Sequence, residues 1–155
     1  MKFSTRTDID APIEHVFAEL SDFQGFERSA MRRGAQIRRV DTQAAPGPGM
    51  AWEAAFPFRG KTREMRIELE TYEAPTLMGF AGRSPGLTGF CEVELIALSP
   101  KKTRLRLALD LRPQTLSARL LIQSMKLAKS SLSKKFDARV EGYSRDIAAR
   151  YGKVA

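Results

Sequence analysis

Cysteine, histidine and tryptophan each occur once in the 155 residues, as Cys91, His15 and Trp52. A lone cysteine excludes an internal disulfide framework and fits a reducing compartment, so the expected location is cytoplasmic. With one histidine and one cysteine, a metal site would rest on scattered carboxylates, and none has ligand spacing. No metal or cofactor is therefore expected. No apolar run approaches the roughly 18 residues that a membrane-spanning helix needs. The opening MKFSTRTDID also lacks the apolar stretch of a secretory signal. What the chain does have is a balanced composition, 43% hydrophobic and 28% charged, which suits a soluble globular protein. Its length is that of one ordinary domain, and residues 1–155 are expected to form one.

The net charge of +8 is concentrated towards one end. Residues 117–155 carry nine Lys/Arg against three Asp/Glu, whereas the first 116 carry 17 against 15. Lys126, Lys129, Lys134 and Lys135 therefore form a candidate contact for an anionic membrane or RNA. A solvated helix face is the ordinary alternative.

Hydrophobic periodicity gives the order of elements. KFSTRTDI alternates Phe3, Thr5, Thr7 and Ile9 against Ser4, Arg6 and Asp8, which is strand period. Pro12 suits a first helical turn, and Ile13, Val16, Phe17 and Leu20 then form one apolar stripe. Ser21 and Gln24 have capping-box spacing and predict a second short helix, which Gly34 ends. Beyond AAPGPG, which is turn-forming, five strand-like segments follow. In MAWEAAFPF the residues Trp52, Ala54, Phe56 and Phe58 share a face. In KTREMRIELETYE, Met65, Ile67 and Leu69 oppose Glu64, Arg66, Glu68 and Glu70. Short turns favour an antiparallel meander with one wet face.

After Pro113 the period changes, and Leu121, Met125, Ala128, Leu132, Phe136, Val140, Tyr143, Ile147 and Tyr151 form the stripe of one long helix. The fold class is thus α+β, a curved antiparallel sheet of six to seven strands wrapped around a long C-terminal helix, with two short helices after the first strand. A half-apolar sheet and an amphipathic helix bury each other. Because strands twist, the helix lies in a concave surface, and incomplete filling leaves a cavity between sheet and helix.

Several local patterns in this order carry a family resemblance. They are DIDAPIEHVFAELSDF, GPGMAW around Gly49 and Trp52, and FRGKTREMRIELETYEAPTLMGF with Gly60, Glu73, Pro75 and Phe80. Together they resemble the START-like, or helix-grip, superfamily (SRPBCC), which includes polyketide cyclase/dehydrase-related proteins and plant pollen-allergen-like binders. Phe23 and Phe26 stand where many relatives carry a tryptophan. The resemblance implies a hydrophobic cavity for lipids, isoprenoids, hormones or polyketides. Some relatives are enzymes and others binders, so fold does not decide function.

No catalytic constellation emerges. His15 lies about 150° around its helix from the centre of the apolar stripe, which predicts a water-facing side chain. RGKT at 59–62 lacks the earlier glycine and following helix of a phosphate loop. Cys91 reads as a small apolar group on the face of Val93 and Leu95. Arg63 shares the face of Met65 and Ile67; it either meets a ligand carboxylate or enolate, or snorkels to solvent. Trp52, Phe56, Met65, Phe80 and Phe90, with Leu121 and Met125 from the helix, are the candidate cavity lining, or else they fill the core. The expected function is non-covalent binding of a hydrophobic small molecule. The alternatives are a cyclase/dehydrase-type enzyme and a protein that docks through its basic helix.

Overall fold

The structure, a computed structural model, describes residues 1–154. Strand β1 (Lys2–Ile9) leads into helices α1 (Ile13–Leu20) and α2 (Phe23–Arg32). Six strands follow: β2 (Gln36–Arg39), β3 (Ala51–Phe58), β4 (Lys61–Glu73), β5 (Leu77–Ser84), β6 (Leu87–Ser99) and β7 (Lys102–Pro113). Helices α3 (Leu116–Leu127) and α4 (Lys129–Val154) complete the chain. The seven strands form one antiparallel sheet in the order β1-β7-β6-β5-β4-β3-β2, the curved helix-grip architecture expected.

Tight turns impose that meander. Arg59 and Gly60 both have positive φ, 51° and 73°, the two-residue geometry whose twist matches flanking strands. Gly49 (φ 100°) closes the GPG turn; the Gln43 Oε1 atom lies where its side chain would begin. Asp41 anchors the same loop. Its carboxylate accepts from the Arg39 guanidinium at 2.8 Å and from the backbone N–H groups of Ala51 and Gln43, both at 2.9 Å. The Arg39 hydrogen bonds, followed by those backbone donors, hold its pKa well below the usual carboxylate range.

Four sequence expectations need correction. Pro12 is the extended N-cap of α1 rather than a residue of its first turn. Asp22, not Ser21, caps α2 by accepting from Gly25 N–H at 3.1 Å. Ser21 Oγ instead donates to the Phe17 carbonyl at 2.8 Å and lies 3.0 Å from the Tyr72 hydroxyl. The long C-terminal helix is two helices, broken at Ala128 (φ −106°, ψ 15°). α3 packs against β7 and α4 along β1, so the buried residues of α3 are Ala118, Ile122 and Met125. Finally, His15 does not face water. Its Nε2 lies 3.3 Å from the Ile147 carbonyl and its ring packs on Tyr151, 5.1 Å between centroids. Helix α4 crosses the side of α1 that a lone amphipathic helix would leave wet.

The core has two parts. One surrounds Ile9, Val16, Phe17, Trp52, Leu69, Met78 and Ile147. The other surrounds Phe3, Ile122 and Met125, with Leu109, Leu111 and Phe136 packed on it. Between them the register places unusual residues side by side. One row across the sheet runs Trp52–Ile67–Gly82–Gly89–Leu111, each residue paired with the next on the neighbouring strand. The adjacent row runs Leu69–Phe80–Cys91–Leu109–Phe3. Where the first row crosses the middle of the sheet, two glycines face each other; the Met65 thioether leans over Gly82, its Sδ 2.8 Å from where a side chain would begin, and over Gly89 the nearest atom is Leu111 Cδ2 at 3.3 Å.

Candidate functional site

That glycine pair is the floor of a cavity of about 370 Å³. Its walls are Trp52, Ile67, Met65, Met78 and Phe80 on one side and Cys91, Val93, Leu109 and Leu111 on the other. The roof is α2, through Phe23, Phe26 and Glu27, with Leu20 from the end of α1 and Ile37 from β2. Position explains each contribution. Residues 78, 80 and 82 on β5, and 89, 91 and 93 on β6, alternate onto the concave face of the sheet. Phe23, Phe26 and Glu27 are spaced i, i+3, i+4 and so share one side of α2.

An aromatic cluster builds one end. Phe23 packs on Trp52 at 5.5 Å and edge-on to Phe80 at 6.3 Å, and Trp52 lies 6.5 Å from Phe80. The Trp52 indole Nε1 donates to Glu27 Oε1 at 2.8 Å. The charged lining residue is thereby bonded to a wall residue and orients the tryptophan rather than standing free. Cys91 also lines the cavity, and burial, with a smaller contribution from Glu92, pushes its thiol up to about 11. A thiol held protonated at neutral pH is a poor nucleophile.

The sequence-nominated residues separate into four groups. Trp52, Met65 and Phe80 come together in the cavity wall. Phe56 and Arg63 are paired opposite one another on β3 and β4, outside the lining. Arg63 is half-buried with its Nε donating to the Phe58 carbonyl at 3.1 Å. Leu121 and Met125 belong to the second core cluster beneath α3. Phe90 lies on the opposite, convex face under the Arg112 guanidinium, 4.8 Å from its ring centre. The alternation that turns Cys91, Val93 and Leu95 inward requires this. The cavity is therefore lined by the sheet and α2 rather than by the C-terminal helix.

Sequence reasoning missed Phe23, Phe26, Glu27, Ile37, Gly82 and Gly89 as site residues. For the glycines a signal existed. A glycine inside a strand pattern marks a place where another group approaches closely.

Known proteins share this architecture. A sequence profile described as Polyketide cyclase / dehydrase and lipid transport matches residues 1–142. The chain belongs to that family. In fold it is similar to TTHA0849 from Thermus thermophilus. The TM-score is 0.70 at 16% identity, over 97% of this chain and 99% of that one. It is also similar to the Zhui aromatase/cyclase from Streptomyces sp. R1128, with TM-score 0.66 and 11% identity over 99% and 94% of the two chains. A START superfamily protein from Mycobacterium smegmatis matches with TM-score 0.56 and 13% identity over 86% and 95%. At these identities the likeness concerns the fold, which is START-like. A search of curated proteins produced no match. No described helix is long and apolar enough to cross a membrane.

Proposed function

We propose that the chain binds one hydrophobic small molecule non-covalently in the cavity under α2. The observation that carries this reading is the pair Gly82 and Gly89, set opposite each other in the middle of an otherwise bulky apolar row. The cavity above them, into which Met65 leans from the Gly82 side, is walled almost entirely by hydrocarbon. Burial of ligand surface would supply affinity, at about 25 cal/mol per Å², and the aromatic end would set orientation. Two titratable lining residues, Glu27 bonded to Trp52 and the protonated Cys91 thiol, favour binding over cyclase-type proton transfer. The single cysteine suits a cytoplasmic setting.

Trp52 is the sole tryptophan and lines the cavity, so its emission reports occupancy directly. Titration with 1-decanol is expected to shift that emission saturably. Organic extraction of the purified protein is expected to release an apolar compound. A chain whose Trp52 emission ignores decanol, and that extracts clean, would contradict the reading.

A specific observation also favours an anionic membrane as the place of ligand exchange. Leu116, Leu120 and Leu127 of α3 are 74, 63 and 92% exposed and fall within about 40° of one another around the helix. Exposed Arg119, Lys126 and Lys129 flank them in sequence, and exposed Lys134 and Lys135 follow on α4. An apolar stripe edged with cations suits an anionic bilayer surface. Replacing the three leucines by serine is expected to abolish sedimentation with phosphatidylserine-containing vesicles. Undiminished sedimentation would exclude this contact.

A further inference from the structure

Beside the cavity a second hollow, of about 870 Å³, opens between α2 and α4. Its chemistry is the opposite of the cavity's. Arg28, Arg32 and Arg33 reach it from α2 and the turn that ends it, and Arg139, Arg145 and Arg150 from α4. Three carboxylates share the cleft: Glu19, Asp22 and Asp146. Two of these are already engaged. Glu19 pairs with Arg150 at 3.0 Å, and Asp22 accepts from Gly25 N–H at the start of α2. Among the described residues, Arg150 is the member of the six that forms an ion pair. The other five form no ion pair among those residues, and six guanidinium groups against the three carboxylates of Glu19, Asp22 and Asp146 leave the cleft with a net positive charge.

Phe26 stands between the two spaces. It lines both the apolar cavity and the arginine cleft, is 41% exposed, and packs on Tyr143 of α4 at 5.3 Å. A molecule lying past Phe26 would keep one end among hydrocarbon and the other among guanidinium groups. We infer that the arginine cleft is the head-group subsite of the proposed cavity, and that the ligand is a phosphate or diphosphate monoester of a single hydrocarbon chain. The inference rests on the cavity reading. Guanidinium forks bind phosphate oxygens two at a time, and several converging arginines fit a multiply charged group better than a lone carboxylate. A cavity of about 370 Å³ is at the small end of ligand pockets, which argues for one chain rather than two.

The test compares 1-decanol, decyl phosphate below its micellar concentration, and inorganic phosphate. Each is titrated into the full chain with Trp52 emission and calorimetry as readouts. Decyl phosphate is expected to bind at least about tenfold tighter than decanol at low salt, the effect of one charge-assisted hydrogen bond. That advantage should shrink as salt rises. In the double variant Arg32→Gln/Arg145→Gln it should fall below about threefold, while decanol affinity, which the cavity alone sets, is unchanged. Both arginines are exposed, so the variant should melt like the parent. Equal binding of decanol and decyl phosphate, or an advantage that survives the double substitution, overturns the head-group subsite and leaves the cavity reading intact. Inorganic phosphate binding as tightly as decyl phosphate overturns it too, because the cleft would then be an anion site independent of the cavity. If neither decyl compound binds, the cavity reading fails and the inference with it.

Discussion

Gly89→Val tests the origin of the cavity most directly, because stability and binding should move in opposite directions. The Gly89 backbone is ordinary strand, paired with Gly82 on one side and Leu111 on the other. A Cβ placed there meets Leu111 Cδ2 at 3.3 Å, the far end of a flexible side chain. Full burial of a valine side chain contributes about 1.5 kcal/mol, and removing a glycine from a strand interior adds roughly 0.5–1 kcal/mol. Shifting Leu111 off its preferred rotamer costs about 0.5–1.5 kcal/mol. The net is a stabilisation of about 1 kcal/mol, which raises Tm by roughly 2–4 °C in a domain of this size. The same carbons occupy the space of two or three ligand methylenes, each worth about 0.8 kcal/mol. Affinity for 1-decanol should therefore fall by about 2 kcal/mol, or roughly 30-fold. Thermal melts followed by circular dichroism give the first quantity, and decanol titration of Trp52 emission gives the second. A variant that melts several degrees lower while binding decanol as before would refute the glycine pair as the cavity floor.

Three further outcomes follow from the same geometry. Thr103 is fully buried and its Oγ1 donates to the Ala11 carbonyl at 2.8 Å; Thr103→Val keeps the shape, leaves that carbonyl unpaired, and should cost about 1–3 kcal/mol in urea denaturation. Cys91, with its thiol near 11 and its side chain in the cavity wall, should react with iodoacetamide at pH 8 far more slowly in the folded chain than in urea, and more slowly still with decanol bound; equal rates folded and unfolded would contradict its placement. Tyr143 is pushed up to about 12, chiefly by burial, so above its ordinary value near 10 the unfolded chain loses the phenolic proton first. Its contribution to stability is present below pH 10 and is lost as pH rises towards 12. Tyr143→Phe should flatten the fall of the urea midpoint between pH 9.5 and 11.5, and an unaltered slope would show that the hydroxyl is not buried as described.

Much of this protein was determined by its sequence alone. Alternation along 61–73 and 102–113 made strands, and the Ile13/Val16/Phe17/Leu20 spacing made α1, because side-chain periodicity is a local property of each element. The order of strands, short helices and C-terminal helices, and with it the family, needed no more than those local patterns in sequence. Tertiary structure decided what meets what. Gly82 and Gly89 are seven residues apart in a hairpin, yet only register makes them neighbours in a row ending at Trp52 and Leu111. The break at Ala128, the turning of His15 against α4 and the choice of α2 as roof all depend on where one element lies on another. So does the convergence of α2 and α4 arginines around Phe26. Long-range packing has no period along the chain, and for that reason the concave face was legible in advance while the cavity and its charged neighbour were not.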